Sequence, residues 1–215
     1  MRILIADDHA VLREGLRQIL ALEFPGAIFG EAGTYQETLA RVDKEPWDVL
    51  VLDIFMPGRS GLDVLREVEA SYPELPVLVL SSASEEQMAP RVLRAGAAGY
   101  LNKRAAPEEL ALAVKKVAAG GTYASARLGE KLAADLARPS TNALHEQLSD
   151  REFQVTQMLV AGKCVKEIAA ELALSPKTIS TFRTRLMGKL QMQSDVELAR
   201  YTLENNLSES SVLPR

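Results

Sequence analysis

The 215-residue chain holds a single cysteine, Cys164, which excludes an intrachain disulfide and any metal site built on clustered thiolates. The lone thiol is expected to be buried in a helix. Long apolar runs are missing too: no stretch approaches the roughly 20 residues that a membrane span requires. Met1-Arg2-Ile3 leads straight into strand-like sequence, without the apolar region and cleavage site of a signal peptide. A cytoplasmic protein with no membrane partner is expected. A further absence is local: from Ala173 to Gln193 there is no acidic residue, while Lys177, Arg183, Arg185 and Lys189 all fall there. Such a patch suits an ordinary solvated helix face or a contact with phosphates, and composition does not decide between them.

What is present bounds the architecture. Hydrophobic residues make up 47% of the chain, enough for real cores and too much for general disorder. At roughly 150 residues per domain, the length suits one large or two small domains. The net charge of −4 is unevenly spread: residues 1–120 carry 13 Lys and Arg against 18 Asp and Glu, whereas residues 149–206 carry 8 against 7. The second half is therefore not strongly basic, and any affinity for phosphates rests on its acid-free stretch.

Over residues 1–120, short apolar runs alternate with amphipathic segments, which predicts a parallel sheet with helices on both faces. Strands are read near 2–6, 27–32, 48–53, 77–81 and 98–102, and helices near 10–22, 35–43, 61–71, 85–95 and 107–119. Pro25-Gly26, Pro57-Gly58, Pro73 and Pro76 punctuate the connections, and Pro107 suits a first helical turn. Pro90 disagrees, because inside a helix it removes a donor and crowds the preceding turn. The fourth helix is therefore expected to be kinked, to start late or to be locally irregular.

Residues 121–147, opening within Gly120-Gly121 and containing Pro139-Ser140-Thr141-Asn142, read as a linker with one helical stretch, Ala126–Ala137. From residue 148 the pattern is purely helical. Ser149-Asp150-Arg151-Glu152 is a capping box whose helix stops at Gly162, and Ser194-Asp195-Val196-Glu197 opens a last helix, Asp195–Asn206, with the same device. Between them lie Val165–Ala173, a tight turn at Leu174, and a helix with Ser175 as its cap and Pro176 at its first position. Two helices joined by so short a turn, the second carrying the basic stretch, form what a helix-turn-helix requires. Residues 208–215 read as a flexible tail.

The chemistry concentrates at strand ends. Asp7 and Asp8 close Ile3-Leu4-Ile5-Ala6, Asp53 closes Val49-Leu50-Val51-Leu52, Ser81 closes Val77-Leu78-Val79-Leu80, and Lys103 follows Gly99-Tyr100-Leu101-Asn102. Open parallel sheets build their sites at these carboxyl ends. A strand-end carboxylate can act as nucleophile toward a phosphoryl group. Mg²⁺ suits such an oxygen set, with Asp8, Asp53 and a water held by Asp7. Lys103 offers fixed positive charge to phosphoryl oxygens, and the Ser81 hydroxyl can donate to one of them. Alone, an Asp after an apolar strand is most often a loop starter and a Lys is solvated surface; the set at four strand ends argues otherwise. His9 reads as an exposed loop residue and Trp47 as packing.

On these residues the first 120 positions resemble the receiver domain of two-component response regulators. The matching motifs are Asp7-Asp8, Asp53-Ile54-Phe55-Met56-Pro57-Gly58-Arg59-Ser60-Gly61, Ser81 and Gly99-Tyr100-Leu101-Asn102-Lys103. Residues 148–207 resemble the LuxR-type helix-turn-helix through Leu148-Ser149-Asp150-Arg151-Glu152, Lys166-Glu167-Ile168-Ala169, Leu174-Ser175-Pro176-Lys177-Thr178-Ile179 and Lys189-Leu190. Together they are similar to the NarL/FixJ class of transcription regulators. The resemblance implies a flavodoxin-like α/β doubly wound sheet of order 2-1-3-4-5, followed by a small all-α four-helix domain.

It also implies roles. Asp53 would accept a phosphoryl group from a sensor histidine kinase, with Mg²⁺ held by Asp7, Asp8, Asp53 and the Phe55 carbonyl. Ser81 and Tyr100 would form a switch pair beside Lys103, although a half-buried strand aromatic is an equally plain reading of Tyr100. Pro90 departs from the usual fourth helix. The helix Pro176–Leu190 would enter the major groove of promoter DNA, with Lys177, Thr178, Ser180, Thr181, Arg183, Thr184, Arg185 and Lys189 as contact candidates. Family members often carry Lys in place of Ser180 and His in place of Phe182, which suggests a different base preference. The last helix would dimerise the activated protein on an inverted repeat, with RNA polymerase as a further partner. Turnover beyond self-phosphotransfer and slow autodephosphorylation is not expected: a phosphoaspartate hydrolase would need an acid where Phe55 stands. A receiver that never meets phosphate, serving only as an interaction module, is the other reading.

Overall fold

A computed structural model describes residues 1–83, 85–125, 128–130, 144–205 and 207. The chain divides into two compact units, Met1–Ala134 and Asp135–Arg215. The first contains β1 (Arg2–Ala6), α1 (Ala10–Glu23), β2 (Ile28–Ala32), α2 (Tyr35–Lys44), β3 (Val49–Asp53), α3 (Gly61–Ser71), β4 (Val77–Ser81), α4 (Glu85–Arg94), β5 (Gly99–Asn102) and α5 (Pro107–Ala118). The five strands are parallel in the order β2-β1-β3-β4-β5. The α/β doubly wound reading is borne out, with each strand boundary within a residue of expectation.

The strand sequences explain the layering. β3 and β4 are buried along their whole length and read as unbroken runs of Val and Leu, as parallel strands covered on both faces do. Ile3, Ile5, Val49, Val51, Leu78, Leu80 and Leu101 pack against Leu16 and Leu20 of α1 and Leu110, Val114 and Val117 of α5. Leu4, Leu50, Leu52 and Val79 point the other way along the pleat and are equally inaccessible to solvent. The register sets Asp53 opposite Leu80 and Ser81 opposite Asn102, so the polar strand ends share one edge.

Two expectations are corrected in this unit. α4 does not start late: it is helical from Glu85 to Arg94 with Pro90 as its sixth residue. So near the N-terminus, the missing N–H deprives a single carbonyl, that of Glu86, of its intrahelical donor. Tyr100 is not half-buried but wholly inaccessible to solvent. Trp47 is packing, as read: its ring covers Gly30, where a Cβ would stand 2.2 Å from Cη2, and its Nε1 donates to Arg41 O at 2.9 Å.

The second unit contains a short 3₁₀ turn, Leu144–Gln147, followed by α6 (Asp150–Val160), α7 (Val165–Glu171), α8 (Pro176–Leu190) and α9 (Asp195–Glu204). Ser149 and Glu152 form the reciprocal capping box that the sequence predicts. At α9, Ser194 accepts from Glu197 N, but the Glu197 carboxylate reaches back to Gln193 N at 2.7 Å, one residue before the cap. Cys164 is exposed, not buried in a helix; it is the N-cap of α7, where its backbone N–H donates to Glu167 at 2.7 Å. Between α7 and α8, Ala173 adopts φ +52° and Leu174 N donates to Ala169 O at 2.9 Å, which makes the reversal tight. The expected helix Ala126–Ala137 lies outside the described residues except for 128–130, and the tail 208–215 lies wholly outside them.

Candidate functional site

The carboxyl edge of the sheet gathers the acids. Asp7, Asp8, His9 and Asp53 each offer a ligand atom within 4.8 Å of the others. Asp7 and Asp53 are buried, and Lys103 reaches both: its Nζ lies 2.5 Å from Asp7 Oδ2 and 2.8 Å from Asp53 Oδ2. Burial pushes the Asp53 carboxyl above its usual range, Lys103 opposes this, and Asp7 adds to the rise. Burial alone would lower Lys103, but Asp53 and Asp7 outweigh it and hold the ammonium up. Asp8 Oδ1 is buried without a hydrogen bond. His9 Nδ1 stands 2.9 Å from that oxygen, off the line a hydrogen bond needs, on a ring 69% exposed.

The loop after Asp53 is tied down locally. Phe55 N–H donates to Asp53 Oδ1 at 3.1 Å, and Gly61 N–H returns to Ile54 O at 2.9 Å. Only glycine fits at Gly61, because a Cβ there would lie 2.0 Å from the Asp53 carbonyl oxygen. Ser60 then caps α3 with a full capping box on Asp63. From α1, Arg13 Nη1 donates to Asp7 O at 2.7 Å, which fixes the backbone beneath the acidic pair.

Beside the acids, the backbone of one residue, Ala83, collects the polar groups of β4 and β5. Ser81 Oγ accepts from Ala83 N at 3.1 Å. The Ala83 carbonyl accepts from Tyr100 Oη at 2.6 Å and from Asn102 Nδ2 at 3.1 Å. Ser81, Ala83 and Tyr100 are all inaccessible or nearly so. A displacement of the loop at Ala83 therefore cannot leave Tyr100 unaffected.

In the second unit, α8 presents Lys177, Ser180, Thr181, Thr184 and Arg185 to solvent, with Thr178, Arg183 and Lys189 half-buried. The hydroxyls of Ser180, Thr181 and Thr184 donate to carbonyls one turn back, at 2.9 to 3.0 Å. Thr178 Oγ1 stays near the cap, 2.8 Å from Ser175 Oγ. Arg183 holds both carboxylate oxygens of Asp195 at 2.9 Å, pinning α8 to α9. Lys189 Nζ pairs with the buried Glu152 at 2.5 Å and also donates to Gln147 O at 3.1 Å, pinning α8 to the start of α6. Burial opposes ionisation of Glu152, but Lys189 and the Ser149 N–H outweigh it and hold the carboxyl below its usual range. Lys177 and Arg185 form no ion pair among the described residues.

Comparison with known proteins agrees with this geometry. Residues 3–115 match the response regulator receiver domain, and residues 146–202 match the bacterial regulatory proteins of the luxR family. The chain is 35% identical over 212 residues to the response regulator GacA of Pseudomonas viridiflava, covering 98% of this chain and 99% of GacA. The chain belongs to the NarL/FixJ class of response regulators. It is also 33% identical over 214 residues to the response regulator UvrY of Escherichia coli K12, covering 99% and 98% of the two chains. Among solved structures it resembles RcsB of Salmonella enterica serovar Typhimurium bound to promoter rprA in the presence of the phosphomimetic BeF₃⁻. That likeness has a TM-score of 0.63 and 28% identity over 94% of this chain and 98% of RcsB. Another likeness is to two RcsB dimers bound to two parallel DNAs, with a TM-score of 0.58 and 26% identity over the same shares of each chain.

As a response regulator the protein is a regulator and not a metabolic enzyme. Its receiver residues suit a divalent cation: the donors are carboxylate oxygens, and Asp8 Oδ1 is a buried acceptor with no hydrogen bond of its own. Among the described residues, no helix is long and apolar enough to cross a membrane. Sequence reasoning missed the ties on Lys189 and Arg183, whose signals were faint: an acid in a capping box and an acid at a helix start. It also missed Ala83, which acts through its backbone and leaves no trace in residue type, and the Asn102 side chain that shares its carbonyl.

Proposed function

We propose that the protein is a phosphorylation-regulated transcription regulator that accepts a phosphoryl group on Asp53 and, once phosphorylated, binds inverted-repeat promoter DNA as a dimer. The observation that carries this reading is the buried Asp53 carboxylate at a strand end, 2.8 Å from the Lys103 ammonium and grouped with Asp7 and Asp8. An Asp53 carboxylate oxygen attacks the phosphorus of a sensor kinase's phosphohistidine. The new O–P bond forms as the P–N bond breaks, and the imidazole leaves with the electron pair and takes up a proton.

Lys103 holds its charge against the incoming phosphoryl oxygens, and the Ser81 hydroxyl turns from Ala83 N to donate to one of them. Mg²⁺, held by Asp7, Asp8, Asp53 and the Phe55 carbonyl, would supply the positive charge that lets two anions approach. The loss of Ser81 from Ala83 shifts the loop that holds Tyr100, and this carries the signal toward α4 and β5.

In the output domain, α8 enters the major groove with Lys177, Thr178, Ser180, Thr181 and Thr184 on its N-terminal half and Arg185 toward the backbone. Arg183 and Lys189 flank this face on either side, with their charges shared with Asp195 and Glu152. The DNA-bound RcsB dimers support this reading of α8 and α9. Sedimentation of the whole protein before and after acetyl phosphate with Mg²⁺ tests the output step: a shift from monomer toward dimer that Asp53→Ala abolishes is expected, and an unchanged monomer contradicts it.

A further inference from the structure

The chain beyond α5 does not leave the receiver directly. At Gly121 it turns back, with Gly121 N donating to Lys116 O at 3.0 Å, and lies along the free edge of β5. Tyr123 pairs with Gly99 in a parallel bridge; its N–H donates to Ala98 O at 2.9 Å, and its carbonyl accepts from Tyr100 N at 3.3 Å. The fit is close, since a Cβ on Gly99 would stand 3.0 Å from both Tyr123 Cβ and Tyr123 O. The Tyr123 ring is buried in the core beside α5, and its hydroxyl donates to Glu109 at 2.9 Å. Burial and Glu109 push this phenol up to about 12, so it remains a donor. Ser125 Oγ then donates to Glu85 Oε2 at 2.8 Å, on the first residue of α4, and accepts from Leu128 N at 3.1 Å; Leu128 is buried.

These contacts fall on the elements that respond to Asp53. Tyr100 is held from two sides, by the Ala83 carbonyl at its hydroxyl and by Tyr123 at its N–H. Glu85, two residues after Ala83, holds Ser125. An edge strand left bare is a pairing hazard, and a segment that covers it while touching both β5 and α4 is placed to sense their movement.

We propose that residues 121–125 form a strap, bridged to the free edge of β5 at Tyr123, that is latched to α4 through Ser125 and Glu85 and to the switch residue Tyr100 through Tyr123, and that phosphorylation of Asp53 loosens it. The proposal rests on the phosphoacceptor reading above. As Ser81 turns to the phosphoryl group, the Ala83 loop and the first turn of α4 shift, the Ser125–Glu85 bond is lost, and the linker is freed from where it was fastened. Coupling is reciprocal, so weakening the strap favours the phosphorylated form.

Amide hydrogen exchange on the full chain tests this. In unphosphorylated protein, Ser125→Ala is expected to speed exchange at Tyr123 and Tyr100 by about fivefold, the worth of one hydrogen bond, and Glu85→Gln should act in the same direction more weakly. In wild type, acetyl phosphate with Mg²⁺ should speed the same two amides while Val51 in the central sheet keeps its rate. Ser125→Ala should also raise phosphoryl occupancy at equal acetyl phosphate. Unchanged Tyr100 exchange in Ser125→Ala, or protein that gains the phosphoryl mass with no change at Tyr123, would overturn the strap. Failure to gain that mass would instead contradict the phosphoacceptor reading, and the Ser125→Ala result would still decide whether strap and switch residue are joined.

Discussion

Lys103 Nζ lies 2.8 Å from Asp53 Oδ2 and 2.5 Å from Asp7 Oδ2, so one ammonium serves two buried carboxylates. Removing one partner of a buried pair leaves charge without compensation, at a cost of roughly 3–5 kcal/mol unless a carboxyl takes up a proton. Lys103→Ala is expected to lower receiver stability within that range in urea unfolding at neutral pH, and to slow phosphorylation by acetyl phosphate. The pH dependence has a definite sign. The Lys103 pKa is raised in the folded state, so its contribution is fully present below the usual lysine value of 10.5 and is lost as pH rises through the folded value. Wild-type stability should therefore fall in strong alkali, and the Lys103→Ala variant should lack that part of the fall.

Tyr100→Phe deletes the hydroxyl that Ala83 O accepts at 2.6 Å, while Asn102 Nδ2 still serves that carbonyl at 3.1 Å. The expected loss of stability is modest, about 1 kcal/mol, because the carbonyl is not orphaned. Phosphate uptake should persist while the shift toward dimer weakens. A variant that dimerises as wild type does would remove Tyr100 from the switch.

The cationic residues of α8 should separate by titration of DNA binding against salt. Lys177→Ala and Arg185→Ala are each expected to reduce the slope of log K against log salt by about 0.9, the value of one phosphate contact. Lys189→Ala should act first on folding, because it strands the Glu152 carboxylate, only 4% exposed, at the base of α6. A melting curve of each variant beside its salt titration distinguishes the two outcomes.

Glu152 gives the output domain an acid limit. Its folded pKa lies below the usual value of 4.5, so the stability it contributes is present above that value and is lost as pH falls through the folded one. The melting transition of the second unit should drop across that window in wild type. In Glu152→Gln it should drop less, from a lower starting stability.

Ala173 sits at φ +52° in the turn between α7 and α8. A side chain there costs roughly 1–2 kcal/mol relative to glycine's freedom. Ala173→Gly is expected to raise the urea midpoint of the second unit with its slope unchanged; a lowered midpoint would contradict the strain.

Much of this was legible in sequence because the strands that carry the site are short, apolar and each terminated by a polar residue. Asp53 and Ser81 could be placed at one sheet edge from the period of the runs alone. Helix starts were legible where Ser149 or Ser175 caps them, since capping is local chemistry. Three features escaped. Cys164 was read as buried because thiols usually are, yet it lies at a helix start where the N-cap faces solvent. Pro90 was read as a disruption, but its place near the start of α4 costs a single acceptor's partner. Tyr123, in a segment read as linker, pairs with Gly99, 24 positions earlier in the chain, a contact that no local pattern encodes.

Signal reception by the receiver depends on Asp53. Intact mass of the whole protein after acetyl phosphate with Mg²⁺, for wild type and Asp53→Ala side by side, tests it most directly. Wild type is expected to gain the mass of one phosphoryl group and Asp53→Ala none. A wild type that gains nothing, or an Asp53→Ala variant that gains as much, would contradict the claim that this buried carboxylate receives the signal.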